Sequence, residues 1–434
     1  MQAGTVDRRP RVLLLADDFN PEWPSLPVVG YKYARALSRV CDVTVATHVR
    51  NRPNVEAAGP PMEVVYLDNE WIAAPMHRLA TRLRGGDQVA WSTSMAMGYL
   101  PYLAFERAAW QHFRAALHAG RFDLVHRMTP MTPTMPSWIA RRLPVPFVLG
   151  PLNGNLDWPR AFAAEQARER ERLRALRGLY RVLPYARSTY DSAAAVLCAF
   201  EHTRTDLAWV EDARIVPFPE IGFDADLFHA GGAAPAGARD PQGRLRFLFA
   251  GRLVPYKLPE LPVLAFARHP ALRAHRLVIL GDGPERPRIE ALIAEHGLQD
   301  CVTLHGRTDQ AGVANWMRNC DAFVFPSIRE LGAGVVIEAM ASGMDSIVTD
   351  YGAPGWLADQ GRGITVPMAP LDTLVDGFAQ AMLDAADDRA GMAARAETAR
   401  RFAEDGFIWD AKAARTRDIY EAVLSGAPLQ GLGY

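Results

Sequence analysis

CDAFVFPSIRELGAGVVIEAMASGMDSIVTD, residues 320–350, passes from an apolar run through a glycine-bearing loop into an alanine-rich segment. Ala322 to Phe325, closed by Pro326, reads as a buried strand of a parallel sheet. Ser327 to Leu331 form a loop that leads to Gly332, Ala333 and Gly334, and VVIEAMA then starts a helix that Ser342 and Gly343 end. In open α/β sheets ligands bind at the carboxyl ends of the strands, where helix N-termini offer unpaired N–H groups to an anion. Glycines 332 and 334 let a phosphate approach that backbone. Two carboxylates bracket the turn: Glu330 in the loop, and Glu338 inside the helix among Val335, Val336, Ile337, Ala339 and Met340. Glu330 alone could serve only to complement a helix dipole. A carboxylate in the apolar setting of Glu338 needs a partner, which favours a ligand site over a structural turn.

Outward from this stretch the chain repeats one pattern. RVLLLA (11–16), VTVATH (43–48), MEVVYL (62–67), FDLVHR (122–127), PFVLGPLNGN (146–155), AAAVLCAF (193–200) and ARIVPFP (213–219) read as strands of a first α/β domain. The spacer DDFNPEWPSLPVVG is expected as a long loop before a helix from Gly30 to Arg39, and MTPMTPTMPSWIARR as a loop into a helix. Residues 71–119 are helical and rich in aromatics and methionine. Residues 159–190 carry arginines at helical spacing, interleaved with acids; a solvated face is the simpler reading, and a basic face for anionic lipid the alternative. Residues 221–243, poor in β-branched residues and rich in Gly, Ala and Pro, are expected as a linker. Its D-x-D, Asp224-Ala225-Asp226, is a coincidence of composition. A second α/β domain, 244–408, follows with strands at 245–253, 275–284, 301–306, 322–325, 346–352 and 363–368. The fold class is therefore α/β, two Rossmann-like doubly wound domains, with the domains 1–220 and 244–408 facing across a cleft.

Composition narrows the function. With 434 residues, 49% hydrophobic and 22% charged, the chain is an ordinary globular one, and a formal charge of −1 gives no case for nucleic acid. There is no run of about eighteen apolar residues and no signal-like segment in what precedes residue 17, so a cytoplasmic protein is expected. Cys41, Cys198, Cys301 and Cys320 have no metal-site spacing and are expected as reduced thiols. Lysine occurs only at 32, 257 and 412 among many arginines, which singles out Lys257 just past a strand. His126, at the carboxyl end of its strand, is a further candidate, although a lone histidine is more often structural.

FLFAGRLVPYK (247–257), LVILGDGPE (277–285), VTLHGR (302–307), the pair Glu330…Glu338, VIEAMASG and FIWDAKAARTRDIY together resemble retaining glycosyltransferase family 4, of GT-B fold. The resemblance covers nearly the whole chain and is strongest over 245–370. It implies a C-terminal helix, 409–424, that returns to the N-terminal domain. It also implies a donor site in which Arg252 and Lys257 hold the diphosphate of a sugar nucleotide. In that site N–H groups of the Gly332, Ala333, Gly334 turn meet the phosphates, Glu338 binds the ribose, Glu330 lies by the donor sugar, and Gly306 and Arg307 contact the base. Gly30 would line the cleft, and His126 would stand by the transferred sugar. The implied reaction moves a hexosyl or N-acetylhexosaminyl unit, with retention, from a nucleoside-diphosphate sugar, UDP by family frequency, to a hydroxyl of a glycan, glycolipid or small molecule. No cofactor and no metal are expected. The partners are the donor and an unidentified acceptor, with peripheral membrane contact through 159–190. The alternative is an inactive nucleotide-sugar-binding scaffold; an NAD-dependent oxidoreductase lacks its glycine fingerprint. Val29-Gly30 stands where the family has a glycine pair, Leu258 where it has glycine, Leu331-Gly332-Ala333 where Gly-Phe-Gly is common, Asp345 where proline is common, and Gly352-Ala353 where a glycine pair is common; all are expected to border the donor pocket.

Overall fold

The computed structural model describes residues 8–84, 91–163, 178, 180–232, 236–240 and 242–434. Among them the chain divides into two compact units. Unit 1 takes residues up to Asn155, those running to Glu220, and Trp409–Tyr434; unit 2 takes the segment that begins at Leu156, and Ile221–Ile408.

The described strands of unit 1 are β1 (Arg11–Leu15), β2 (Asp42–His48), β3 (Glu63–Leu67), β4 (Leu124–Arg127), β5 (Phe147–Leu152), β6 (Ala193–Cys198) and β7 (Ile215–Pro217). They form a parallel sheet in the order β3-β2-β1-β4-β5-β6-β7, with Val12 paired to both Val43 and Leu124. Both faces are covered. Leu13 and Leu15 pack with Phe105, Phe113 and Ile139 on one side; Val12 and Leu14 pack with Tyr33, Leu37 and Tyr420 on the other. That is why β1, β5 and β6 are nearly continuous apolar runs and do not alternate. Helix Trp409–Ser425 lies against helix Leu26–Leu37, with the Tyr33 hydroxyl 2.5 Å from Thr416 Oγ1 and Lys412 Nζ donating to the Pro219 carbonyl at 2.6 Å.

Unit 2 carries β8 (Arg246–Ala250), β9 (Arg276–Leu280), β10 (Val302–Gly306), β11 (Ala322–Phe325), β12 (Asp345–Thr349) and β13 (Ile364–Val366), again parallel, in the order β10-β9-β8-β11-β12-β13. Each sheet reverses its strand order once, between β1 and β4 and between β8 and β11. These are the switch points where loops diverge and leave a crevice.

Four expectations are corrected. The spacer after β1 is shorter than expected, because helix Leu26–Leu37 starts four residues before Gly30, with a proline in its first turn, where the missing N–H costs nothing. MTPMTPTMPSWIARR reaches only one 3₁₀ turn, Ala140–Arg142; its prolines withhold the donors a helix needs. Residues 221–243 are no free tether. The buried Asp321 carboxylate accepts from the N–H of Gly237 at 2.9 Å, and the Arg239 guanidinium donates to the carbonyls of Met317 at 2.9 Å and Gly343 at 2.5 Å. The described residues after Asn155, expected in the first domain, group with unit 2. Most of the arginine-rich 159–190 segment lies outside the described residues. No described helix is long and apolar enough to cross a membrane.

Candidate functional site

The loops after β8 and β9 are zipped together backbone to backbone. Gly251 N donates to Leu280 O at 3.0 Å, Leu253 N to Asp282 O at 3.0 Å, and Glu285 N to Leu253 O at 3.0 Å. Gly281, at φ +136°, is required here, because a Cβ on it would lie 1.9 Å from the Gly251 carbonyl oxygen. This fixes the start of the segment Gly251–Lys257. The loop after β11 is tied to its end: Ile328 N and Ser327 Oγ both donate to Tyr256 O, at 2.9 and 3.2 Å.

The result is a meeting across the β8–β11 switch point. Lys257 Nζ lies 2.5 Å from Glu330 Oε1, which also accepts from Ser327 Oγ at 3.3 Å. Both side chains are nearly enclosed, 12% and 14% exposed. Burial opposes the charge on Lys257, but Glu330 outweighs it and holds the amine above the ordinary lysine range. Arg252 is exposed beside them, with its guanidinium donating to the Tyr256 hydroxyl at 3.0 Å. Gly306 ends β10 at φ +89°, and Arg307 after it is exposed. Gly332 and Ala333 lead into helix Gly334–Ala341, on which Glu338 is half-buried. The N-terminus of that helix opens at the same sheet edge as Arg252 and Lys257. Two cations, a helix N-terminus and two carboxylates at the carboxyl ends of β8 and β11 suit an anion that carries a polyhydroxyl group.

Three of the expected departures lie at this site. Leu258 and Ala333 both adopt the left-handed conformation, φ +44° and φ +53°, that glycine would take without strain. Gly352 sits there too: a Cβ on it would be 2.8 Å from the Glu330 carbonyl oxygen. Asp345 does not. It opens β12, at the opposite end of the sheet, where Arg395 binds its carboxylate at 2.6 and 3.0 Å. Burial pushes that carboxyl up to about 6, with Arg395 working against it.

Unit 1 holds the other two expected residues. Gly30 is buried inside helix Leu26–Leu37, where a Cβ would meet the Asp18 carbonyl oxygen at 2.7 Å. His126 is fully buried: Nδ1 is 2.5 Å from the Tyr420 hydroxyl and Nε2 is 2.6 Å from Gly150 O. Burial lowers its pKa to about 4. The structure thus makes it a neutral core residue with both nitrogens engaged, not the substrate-facing histidine expected. The sequence reading also passed over Asp17 and Asp18, directly after β1. Asp17 accepts from Thr129 Oγ1 at 2.9 Å, and its backbone carbonyl accepts from Asn51 Nδ2 at 2.8 Å. Burial, then the charge of Asp17, pushes the Asp18 carboxyl up to about 7. The signal was available: two acids at the carboxyl end of a strand beside a switch point. Among the described residues no group of three or more His, Cys, Asp or Glu could hold a metal ion.

Residues 235–400 match the family model described as glycosyl transferases group 1. Similar proteins include two named D-inositol 3-phosphate glycosyltransferase. That of Streptomyces avermitilis is 34% identical over 221 residues, covering 47% of this chain and 46% of its own. That of Xylanimonas cellulosilytica is 33% identical over 190 residues, covering 42% and 43%. The chain spans about half the length of these relatives. Among solved structures, sucrose-phosphate synthase from Thermosynechococcus elongatus superposes with a TM-score of 0.64 at 19% identity, over 96% of this chain and 100% of its own. HepE of Anabaena in complex with UDP gives 0.61 at 15%, over 95% and 100%. At these identities the likeness is one of fold.

Proposed function

We propose, from the match of residues 235–400 to the glycosyl transferases group 1 model and from the GT-B fold, that the chain transfers a hexosyl or N-acetylhexosaminyl unit from a nucleoside-diphosphate sugar to an acceptor hydroxyl with retention of configuration. The observation that carries this reading is the meeting of Lys257 with Glu330 at the β8–β11 switch point, beside Arg252 and the N-terminus of helix Gly334–Ala341. Arg252, Lys257 and the helix N-terminus take the diphosphate; Glu338 takes the ribose hydroxyls; Gly306 and Arg307 border the base. In the free protein Glu330 occupies the lysine. A diphosphate draws Lys257 toward its own charge and leaves Glu330 to accept from the sugar hydroxyls.

The chemistry asked of the protein is electrostatic. As the sugar–phosphate bond breaks, charge grows on the leaving phosphate, where fixed cations and N–H dipoles act at full strength. The departing phosphate then takes the proton of the acceptor hydroxyl as that oxygen bonds to the same face of the sugar. Glu330 positions the donor and is not a nucleophile. With two side-chain cations at the phosphates, the proposed transfer is metal-independent. The acceptor is assigned to unit 1, where Asp17 and Asp18 at the β1–β4 switch point offer hydroxyl partners.

A thermal-shift panel of UDP, GDP, ADP and dTDP, with and without EDTA, tests the donor site. A ligand at a hundred times its Kd stabilises by about 2.7 kcal/mol. For domains of this size that is on the order of 5–10 °C. One diphosphate is expected to win, whether or not EDTA is present, and to be released from its sugar in the presence of an acceptor. Binding without any turnover would make the protein a sugar-nucleotide scaffold, and no shift with any nucleotide would remove the donor site.

A further inference from the structure

Glu330 is gripped at both ends, and only one grip belongs to the donor site. Its carboxylate is held by Lys257 and Ser327. Its carbonyl oxygen accepts from Ala353 N at 3.2 Å and lies against Gly352, whose φ of +63° and missing Cβ allow the approach. Gly352 is in turn backed by Leu156: a Cβ on the glycine would meet Leu156 Cδ2 at 2.8 Å. Beside it the Tyr351 hydroxyl donates to the Asp157 carbonyl at 2.8 Å, and the Arg329 guanidinium lies over the Trp158 ring at 5.4 Å. Leu156 and Trp158 are 3% and 7% exposed.

These three residues begin four positions after the end of β5, yet they group with unit 2, against the loop that carries Glu330. That loop has reason to need support. Gly332 and Gly334 loosen it, and Ala333 between them sits in a left-handed conformation that is strained for an alanine. Left to itself such a segment would sample many conformers, and the Lys257–Glu330 distance would not be fixed.

We infer that Leu156–Trp158 is a strap that positions Glu330, with Trp158 and Tyr351 as positioning residues for the proposed transfer; the inference rests on the donor-site reading for its function but not for its mechanics. Hydrogen exchange of the full chain without nucleotide tests the mechanics. In Trp158→Ala the amides of 328–334 are expected to exchange about tenfold faster or more, while those of β8 and β9 stay as in the wild type. Tyr351→Phe, which deletes one hydroxyl and should fold, is expected to show the same change in smaller measure, and Trp158→Phe to restore most of the protection. Unchanged exchange in Trp158→Ala and Tyr351→Phe, or acceleration spread evenly over unit 2, would overturn the strap. The functional readout is a split: in Tyr351→Phe, kcat for donor turnover falls severalfold while UDP affinity changes less than about threefold, because Arg252, Lys257 and Glu338 are untouched. A wild type that neither binds nucleotide nor turns it over would sink the donor reading, and the exchange comparison would still decide the strap.

Discussion

An ammonium 2.5 Å from a carboxylate, both nearly enclosed, is stable only while each satisfies the other. A ligand that takes one partner must offer the second a replacement, and a diphosphate joined to a sugar does so. Lys257→Ala is therefore expected to lower kcat about 10²–10³-fold, the usual loss when one group facing the developing charge is removed. The variant stays folded, because Glu330 keeps Ser327 Oγ and a path to water; circular dichroism and turnover on the same sample check both halves. Near wild-type turnover would take Lys257 out of the mechanism. Ala333 makes the opposite case, a residue whose replacement should help. Ala333→Gly removes left-handed strain of about 1–2 kcal/mol and adds about 0.5–1 kcal/mol of unfolded-chain freedom. A net gain of about 0.5–1 kcal/mol, roughly 1–4 °C in the melting temperature, is expected. A lower melting temperature would mean that the left-handed turn at 333 is not what the chain adopts.

Elements buried on both faces could be read almost residue by residue, since β1, β8 and β11 show the apolar runs that such strands require. What lay in the loops was harder. The glycine preference at 258 and 333 is a backbone conformation, invisible in the side chains Leu and Ala that adopt it. Asp345 was misplaced because motif spacing says nothing of which end of a strand a residue occupies; its place at the amino end of the sheet, beside Ala322, follows from the parallel register of β11 and β12. His126 shows a third limit, since carboxyl-end position does not fix which way a side chain points. Its burial has a measurable consequence. The folded-state pKa, about 4, lies below the ordinary 6.5, so between these values the unfolded chain binds the extra proton. The stability that neutral His126 confers is thus complete above pH 6.5 and is lost as pH falls toward 4, by about 3 kcal/mol. Asp18 and Asp345, shifted upward, act in the opposite sense over part of the same window. The informative quantity is therefore the difference between wild type and His126→Gln, measured by urea unfolding at several pH values. That difference is expected to shrink as pH drops from 6.5 to 4; a constant difference would show that His126 does not titrate with unfolding.

At the scale of the whole molecule the two-unit division was legible from the repeat of strand and helix, but the path of the chain between the units was only partly so. The return of helix Trp409–Ser425 to unit 1 came from the family resemblance, whereas the passage of Leu156–Trp158 to unit 2 carries no sequence signal, since an exposed loop and a strap have the same composition. The returning helix makes the final prediction. Trp409, Ala413, Ile419 and Tyr420 are buried in the unit 1 core, Thr416 bonds Tyr33, and the Tyr420 hydroxyl holds His126. Burying one large apolar side chain contributes about 1.5–3 kcal/mol, so this set matches the 5–15 kcal/mol by which a whole domain is stable. A chain stopped after Ile408 is therefore expected to lose exchange protection in β1, β2 and β4 while β8, β9 and β11 keep theirs, because unit 2 ends at Ile408 and the helix belongs to unit 1. Loss of protection in both sheets would mean that unit 2 cannot stand without its neighbour. Retained protection in β1 would mean that the helix is an ornament on a core already complete, and that the buried Tyr33 and His126 find other partners when it leaves.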